Sequence, residues 1–142
     1  MPAEDAFEVA LRLLRHRDLA EEELRRRLEA RGLRTSEIGE ALERLARTGL
    51  VDDARYAHAR ASSLATRGAG DALIRSDLER AGVAGEVVDD ALGTLAPERD
   101  RAREIVARRG ATTKTMRYLR AKGFGDDAVY AFVADGPGDE LG

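Results

Sequence analysis

The middle of the chain, residues 48–83, repeats its apolar residues at intervals of three and four, the spacing of one buried helical face. Asp52 precedes the first series and can accept hydrogen bonds from the free N–H groups of the next turn, and Asp53 places negative charge at the positive end of the helix dipole. The pattern therefore predicts a helix that begins at Asp53. Its predicted apolar face consists of Ala54, Ala57, Ala61 and Leu64.

A second helix is predicted directly after the Gly68-Ala69-Gly70 segment, whose glycines suit a turn with positive φ angles. Ile74, Leu78 and Ala81 share one face of this helix, and Gly82 is its stop signal.

The same periodicity predicts three helices before this stretch and four after it. The second helix of the chain begins near Asp18 or Ala20 and ends at Gly32, and the third has Thr35 or Ser36 as its cap. The first helix is predicted to bury Phe7, Ala10, Leu11 and Leu14.

The later helices are also marked by glycine and proline. Pro97 is predicted as the first position of a helix that Gly110 closes, because a missing N–H does no harm there. The next helix ends at Gly123, and the last is capped by Gly125 or Asp126. The last helix is predicted to bury Val129, Phe132 and Val133.

Alignment of the chain on Gly32, Gly82 and Gly123 reveals an internal repeat, with the glycines 50 and 41 residues apart. Four apolar columns coincide. They are Leu28, Leu78 and Leu119; Leu33, Val83 and Phe124; Ile38, Val88 and Val129; and Leu42, Leu92 and Val133. A fifth column holds the apolar Leu24 and Ile74 in the first two units and the polar Thr115 in the third. The third unit is therefore the most divergent.

This repeat predicts an all-α fold of about three tandem three-helix units that form an elongated, curved array. The predicted units span residues 1–49, 50–96 and 97–135, followed by a disordered tail at 136–142. A unit of about 45 residues is near the lower size limit for an independent core, so each unit is expected to pack against its neighbour for stability. Such an array presents a long surface rather than a pocket, which favours binding over catalysis.

Composition narrows the functional classes further. The 142 residues include no cysteine, which excludes disulfides, thiol catalysis and thiolate zinc sites. The sequence has no phosphate-binding loop and no nucleophile elbow, so we expect neither an enzyme nor a bound cofactor. No segment has the apolar length of a membrane span or a signal peptide, and the expected location is the cytoplasm. The net charge is −3, although residues 99–142 carry nine basic and seven acidic side chains.

The central stretch strongly resembles the RecX family, regulators of the RecA recombinase. The resemblance rests on the segment from Gly49 to Ala57, GLVDDARYA, and on a G-x3-I-x3-L-x3-G-V pattern that begins at Gly70. The signature residues are Asp52, Asp53, Arg55, Tyr56, Gly70, Ile74, Leu78 and Gly82. A looser likeness extends the match to roughly residues 18–134.

The resemblance implies tandem three-helix repeats that bind along the RecA filament on single-stranded DNA and restrain its ATPase, strand exchange and coprotease activity. The chain departs from the family pattern at Asp71 and Ala81, where basic residues or proline are common in relatives. Both changes reduce positive charge, so contact with the filament protein is favoured over direct contact with DNA. The expected partner is therefore the RecA filament, with the single-stranded DNA inside it as a second candidate, and the expected state is a monomer.

The signature residues permit structural and functional interpretations. For Asp52 and Asp53 we favour helix capping over a metal site, because a metal needs several convergent oxygens. For Arg55 and Tyr56 we favour an ion pair with a nearby acid and packing between repeats, and a partner-facing role stays open.

Two groups of basic residues are candidates for contact with the filament or with DNA. The first lies in the run of arginines near residue 25, where glutamates four residues earlier favour a solvated, balanced helix face. The second lies in the third unit and is less balanced by acids. The candidates are Arg25, Arg26, Arg108, Arg109, Lys114, Arg117, Arg120 and Lys122. An alternative function is helix-turn-helix-like DNA binding, because helix pairs joined across Gly32 or Gly82 imitate that motif.

Overall fold

The computed structural model describes the backbone of residues 5–135 and the side chains of residues 5–131. Within this part the chain forms nine α-helices and no strand, which confirms the predicted all-α fold class. The helices are α1 (Ala6–His16), α2 (Glu21–Ala30), α3 (Thr35–Arg47), α4 (Asp53–Thr66), α5 (Asp71–Arg80), α6 (Gly85–Gly93), α7 (Glu98–Arg109), α8 (Thr113–Ala121) and α9 (Asp126–Asp135). The predicted tail at 136–142 lies outside the described residues.

The nine helices form three units, and each unit has its own buried cluster. The most extensive helix pairings are α1 with α3, α4 with α6 and α7 with α9, all within a unit. The clusters are centred on Leu24, Leu28 and Ile38; on Ile74, Leu78 and Val88; and on Ile105, Leu119 and Val129. Ala20 precedes α2 but packs in the second cluster, so consecutive units share core residues. The unit boundaries near residues 49 and 96 stay predictions.

The glycines that define the repeat end the second helix of each unit. Gly32, Gly82 and Gly123 have φ angles of 81°, 86° and 91°, a left-handed conformation that residues with a Cβ rarely adopt. The backbone N–H of each donates to the carbonyl three residues earlier, which closes the last turn. Each helix therefore ends where the sequence predicts.

The divergent residue of the third unit is also buried. Thr115 is only 3% exposed, and its Oγ1 lies 3.1 Å from Thr112 Oγ1, so its hydroxyl has a partner inside the apolar column. A polar side chain can occupy a core position when its hydrogen bond is made locally.

Two predicted apolar faces need correction. In α1 the deepest residues are Ala6, Val9 and Ala10, whereas Phe7 is only half-buried and lies 3.9 Å below the guanidinium of Arg44. In α4 Ala54 is exposed, because Tyr56 takes the inward direction in that turn beside Ala57 and Ala61. Phe132 and Val133 lie outside the described side chains.

Two predicted caps also shift. The cap of α3 is Arg34, without a side-chain hydrogen bond, and Thr35 is already the first helical residue. Pro97 is the cap of α7, and the helix begins one residue later at Glu98. Of the two predicted caps of α9, Gly125 directly precedes the helix, whereas Asp126 is its first residue. These differences of one residue arise because several residue types can occupy either side of a helix start.

Candidate functional site

The joint between the first and second units is built around the start of α4. Asp52 Oδ1 accepts a hydrogen bond of 3.1 Å from the backbone N–H of Arg55, within its own helix. Asp53 Oδ1 accepts a hydrogen bond of 2.8 Å from the backbone N–H of Glu21, the first residue of α2. Since Ala20 offers α2 no side-chain cap, the second unit supplies the cap for a helix of the first.

Arg55 also connects the first two units at this joint. Its Nη1 donates to the carbonyl of Gly49 at 2.7 Å, and its Nη2 lies 3.2 Å from Asp18 Oδ1. The hydrogen bond with Asp18 raises the pKa of Arg55 above its usual value. Arg55 belongs to the second unit and both of these partners belong to the first, so the guanidinium bridges the joint, although about half of the side chain is exposed.

Tyr56 lines a polar concavity at this joint. The residue is only 8% exposed, and burial is the main cause that raises the pKa of its hydroxyl. Next to it Arg60 donates two hydrogen bonds to Asp77, at 2.9 and 2.8 Å, and this pairing lowers the pKa of Asp77. Arg17, Glu23 and Arg80 also line the concavity, so its two carboxylates offset two of its three arginines.

Gly82 packs tightly against α2 of the first unit. A Cβ at this position would overlap Glu22 Cβ and lie 2.6 Å from Glu22 Cγ. Arg26 Nη1 donates to the carbonyl of Arg80 at 2.7 Å beside it, and Arg25 Nε lies 3.4 Å from Glu22 Oε2. Two of the predicted contact residues, Arg25 and Arg26, are therefore engaged within the protein.

The joint between the second and third units uses Gly70. Its N–H donates to the carbonyl of Lys122 at 2.7 Å, and a Cβ there would lie 2.6 Å from the Gly123 carbonyl oxygen. Only glycine allows the two backbones to approach this closely. The remaining signature residues, Ile74 and Leu78, are fully buried in the second core.

Two residues, Glu98 and Arg101, have roles at this joint that the sequence pattern did not predict. Glu98 Oε2 accepts a hydrogen bond of 2.6 Å from the N–H of Asp71, and its Oε1 accepts one of 3.1 Å from Gly125 N–H. Arg101 Nη2 lies 2.9 Å from Asp71 Oδ1. Glu98 begins α7 as Asp53 begins α4, so the repeat register itself was the signal that could have identified it.

The basic candidates of the third unit have different surroundings. The Arg109 guanidinium lies 3.6 Å from the centroid of the Tyr118 ring. Arg120 Nη2 donates to the Tyr130 hydroxyl at 2.8 Å, and its Nε lies 3.7 Å from Asp126 Oδ1. The remaining candidates, Arg108, Lys114, Arg117 and Lys122, show no ion pair within the described part of the chain.

The sequence has three pairs of adjacent aspartates that could be considered as metal ligands, Asp52-Asp53, Asp89-Asp90 and Asp126-Asp127. Among residues 5–135, no group of three or more His, Cys, Asp and Glu side chains is arranged to hold a metal ion. Asp89 instead lies 2.7 Å from Arg75 Nη2 on the exposed side of α6. In the same part of the chain, no helix has the length and apolar character needed to cross a membrane.

Two family domains match this chain, in the order of its units. The RecX first three-helix domain matches residues 6–45, and the RecX second three-helix domain matches residues 52–92. Together these ranges cover more than half of the chain. The chain is a member of the RecX family.

Curated relatives agree with this assignment to RecX. A regulatory protein RecX from Chromohalobacter salexigens is 38% identical over 129 residues, which cover 84% of this chain and 85% of the relative. A regulatory protein RecX from Halorhodospira halophila is 30% identical over 148 residues, which cover 97% and 92%.

Solved RecX structures share the fold. The crystal structure of RecX from Lactobacillus salivarius has a TM-score of 0.78 and 19% identity, and the match covers 92% of this chain and 93% of that one. A second crystal structure of regulatory protein RecX has a TM-score of 0.77 and 22% identity, with 92% of this chain and 72% of the other covered. The arrangement of helices is thus shared at low sequence identity.

Proposed function

We propose that this protein regulates the RecA recombinase, mainly as an inhibitor, by binding the RecA filament on single-stranded DNA. The observation that carries the proposal is membership in a family whose curated relatives are named regulatory protein RecX. In this proposal the bound protein restrains ATPase activity, strand exchange and coprotease activity. The proposed location is the cytoplasm, the proposed state is a monomer, and the proposed activity is binding rather than catalysis.

The joints support a mechanism of multivalent binding. Each joint is held by a buried or half-buried hydrogen bond from a helix start to a carboxylate of the next unit, Asp53 in one case and Glu98 in the other. Such bonds fix the spacing of the units, so a filament that changes its own subunit spacing no longer fits the whole array. A ligand of this kind favours one filament state and opposes cycling between states.

We place the contact surface on α8. Lys114 and Arg117 are exposed there and have no carboxylate partner among the described residues, whereas Arg25 pairs with Glu22. Unpaired cations keep their full attraction for an acidic surface, while paired ones must first break an internal contact.

The test measures the ATPase of cognate RecA on single-stranded DNA while the protein is titrated in, well below one copy per RecA. We expect strong inhibition at these ratios. The double variant Lys114→Gln/Arg117→Gln should inhibit more weakly than the matched control Arg27→Gln/Arg47→Gln, which removes two exposed arginines from the first unit. Absence of inhibition by the unmodified protein at any ratio contradicts the proposed function, and equal loss in both variants contradicts the proposed surface.

The helix-turn-helix alternative is disfavoured by charge. The helices that would enter a DNA groove are α3 and α6, and their exposed sides carry many carboxylates. These are Glu37, Glu40, Glu43, Glu86, Asp89 and Asp90. Carboxylates on a groove-facing helix would repel phosphates, so we do not propose this function. A shift of double-stranded DNA without RecA, with a steep salt dependence, would restore it.

A further inference from the structure

A concavity of about 340 Å³ lies at the joint between the second and third units. The end of α4 contributes Arg67, the end of α7 contributes Arg108 and Arg109, and α8 contributes Tyr118. We call it the Arg67 cleft. Three arginines line it, and no carboxylate does.

The equivalent concavity at the first joint shows what is unusual here. In the register set by the stop glycines, Arg17 corresponds to Arg67, since each lies 15 residues before its glycine. The two acids of the first concavity have no counterparts: Asp77 corresponds to Tyr118, five residues before the glycine, and Glu23 corresponds to the leucine nine residues before Gly82. Two carboxylates therefore offset most of the positive charge of the first concavity, whereas no carboxylate lines the Arg67 cleft.

Two arginines of the cleft make contacts that leave their charges without a carboxylate partner. The Arg109 guanidinium stacks on the Tyr118 ring at 3.6 Å, which restricts its plane and leaves its N–H groups available. Arg67 makes a long hydrogen bond of 3.4 Å through Nε to the Ser63 carbonyl, so its terminal nitrogens remain available. Within the described part of the chain, none of the three arginines has an ion pair.

Helix ends explain how three like charges are tolerated together. Arg67 caps the C-terminus of α4, and Arg108 and Arg109 lie in the last turn of α7. The negative ends of two helix dipoles stabilise cations at these positions. The helix dipoles thus reduce the electrostatic cost of gathering three arginines in one cleft.

We propose that the Arg67 cleft binds a phosphate group of single-stranded DNA. Arginine forks match the geometry of phosphate oxygens, and a guanidinium plane held on an aromatic ring can also stack against an unpaired base. An acidic peptide would satisfy the charge but would not use the exposed guanidinium plane. The inference deepens the proposed function and rests on it, because the DNA strand would be the one that the filament carries.

The test measures binding of a short fluorescein-labelled oligothymidylate to the full-length protein, without RecA, by anisotropy over a range of salt concentrations. The double variant Arg67→Gln/Arg108→Gln should bind on the order of fivefold more weakly. The negative slope of log K against log salt should become shallower by roughly 0.7 for each phosphate that the variant no longer neutralises. The control Arg27→Gln/Arg47→Gln removes the same charge far from the cleft in sequence and should change both quantities less. Equal losses in the two variants, or no binding by the unmodified protein, would overturn the proposal.

Three further measurements separate the candidate ligands and the two proposals. Displacement of the oligonucleotide by inorganic phosphate at equal phosphate concentration would assign the cleft to free phosphate and overturn the DNA proposal. A labelled polyglutamate that binds as tightly as DNA, and is weakened as much in the cleft variant, would overturn it in favour of an acidic protein surface. If the protein does not inhibit RecA but its DNA binding still depends on the cleft, that result would contradict the proposed function and leave the DNA site supported.

Discussion

Gly82 offers a direct measure of how much one contact between units contributes to stability. Gly82 and Gly32 occupy the same place after the second helix of their units, with φ angles of 86° and 81°. A Cβ on Gly82 would overlap Glu22, whereas a Cβ on Gly32 would meet nothing within 4 Å. Alanine therefore strains the backbone equally at both positions and adds a steric clash at only one.

The expected magnitudes follow from these two effects. A left-handed conformation costs an L-residue about 1–2 kcal/mol, and Gly32→Ala should destabilise the protein by roughly that amount. Overpacking costs a further ~1–3 kcal/mol, because the overlapped Glu22 Cβ is fixed to the α2 backbone and cannot rotate away. Gly82→Ala should therefore destabilise the protein by about 2–5 kcal/mol in total.

Urea unfolding followed by far-UV circular dichroism measures both variants in the full-length chain. The double variant Glu22→Gly/Gly82→Ala removes the overlapped atoms and should recover most of the difference, after correction for Glu22→Gly alone. Equal destabilisation by Gly32→Ala and Gly82→Ala would refute the reasoning, since it would show that the two units do not press together at this point.

Three other perturbations test separate parts of the structure. Asp52→Ala should cost about 1 kcal/mol through the lost cap of α4, and an unchanged urea midpoint would rule the cap out. Gly70→Ala should destabilise the protein by ~1–3 kcal/mol through backbone overlap at the second joint, whereas Gly39→Ala, with open space around its Cβ, should be neutral or stabilising. Asp77→Asn should be destabilising at neutral pH because the Arg60 pairing lowers the folded-state pKa of Asp77 below its usual 3.8. The stability contribution of Asp77 is present above the unfolded-state pKa and is lost as pH falls through the folded-state pKa. The free energies of unfolding of wild type and variant should therefore converge at acid pH. A difference in stability that persists there would contradict the assignment.

Most of the fold could be predicted from the sequence because its signals are local. Helix starts at Asp53 and stops at Gly32 or Gly82 depend on residues within one turn, and a buried face repeats every three or four residues. The prediction of buried faces was less accurate where two nearby residues could each occupy the same inward-facing position. Tyr56 rather than Ala54 takes the inward position, and periodicity alone does not rank a small side chain against a large one.

The candidate site was predicted less completely, for a physical reason. Arg26 belongs to a dense basic run in the sequence, yet it donates to the Arg80 carbonyl, 54 residues away. Whether a cation is available to a partner depends on such distant contacts, which leave no local pattern. Glu98 is similar, because its role as a cap for another unit appears only when the units are docked.

The sequence by itself determined the helices, the three-helix repeat and the resemblance to RecX, since periodicity and backbone chemistry act over a few residues. Only the tertiary structure decided which charges remain free. At the first joint Asp77 pairs with Arg60. At the second, Tyr118 occupies the register position of Asp77, so Arg109 contacts an aromatic ring and no carboxylate. Charge balance depends on distances between side chains that are remote in the chain, and docking of the units sets those distances.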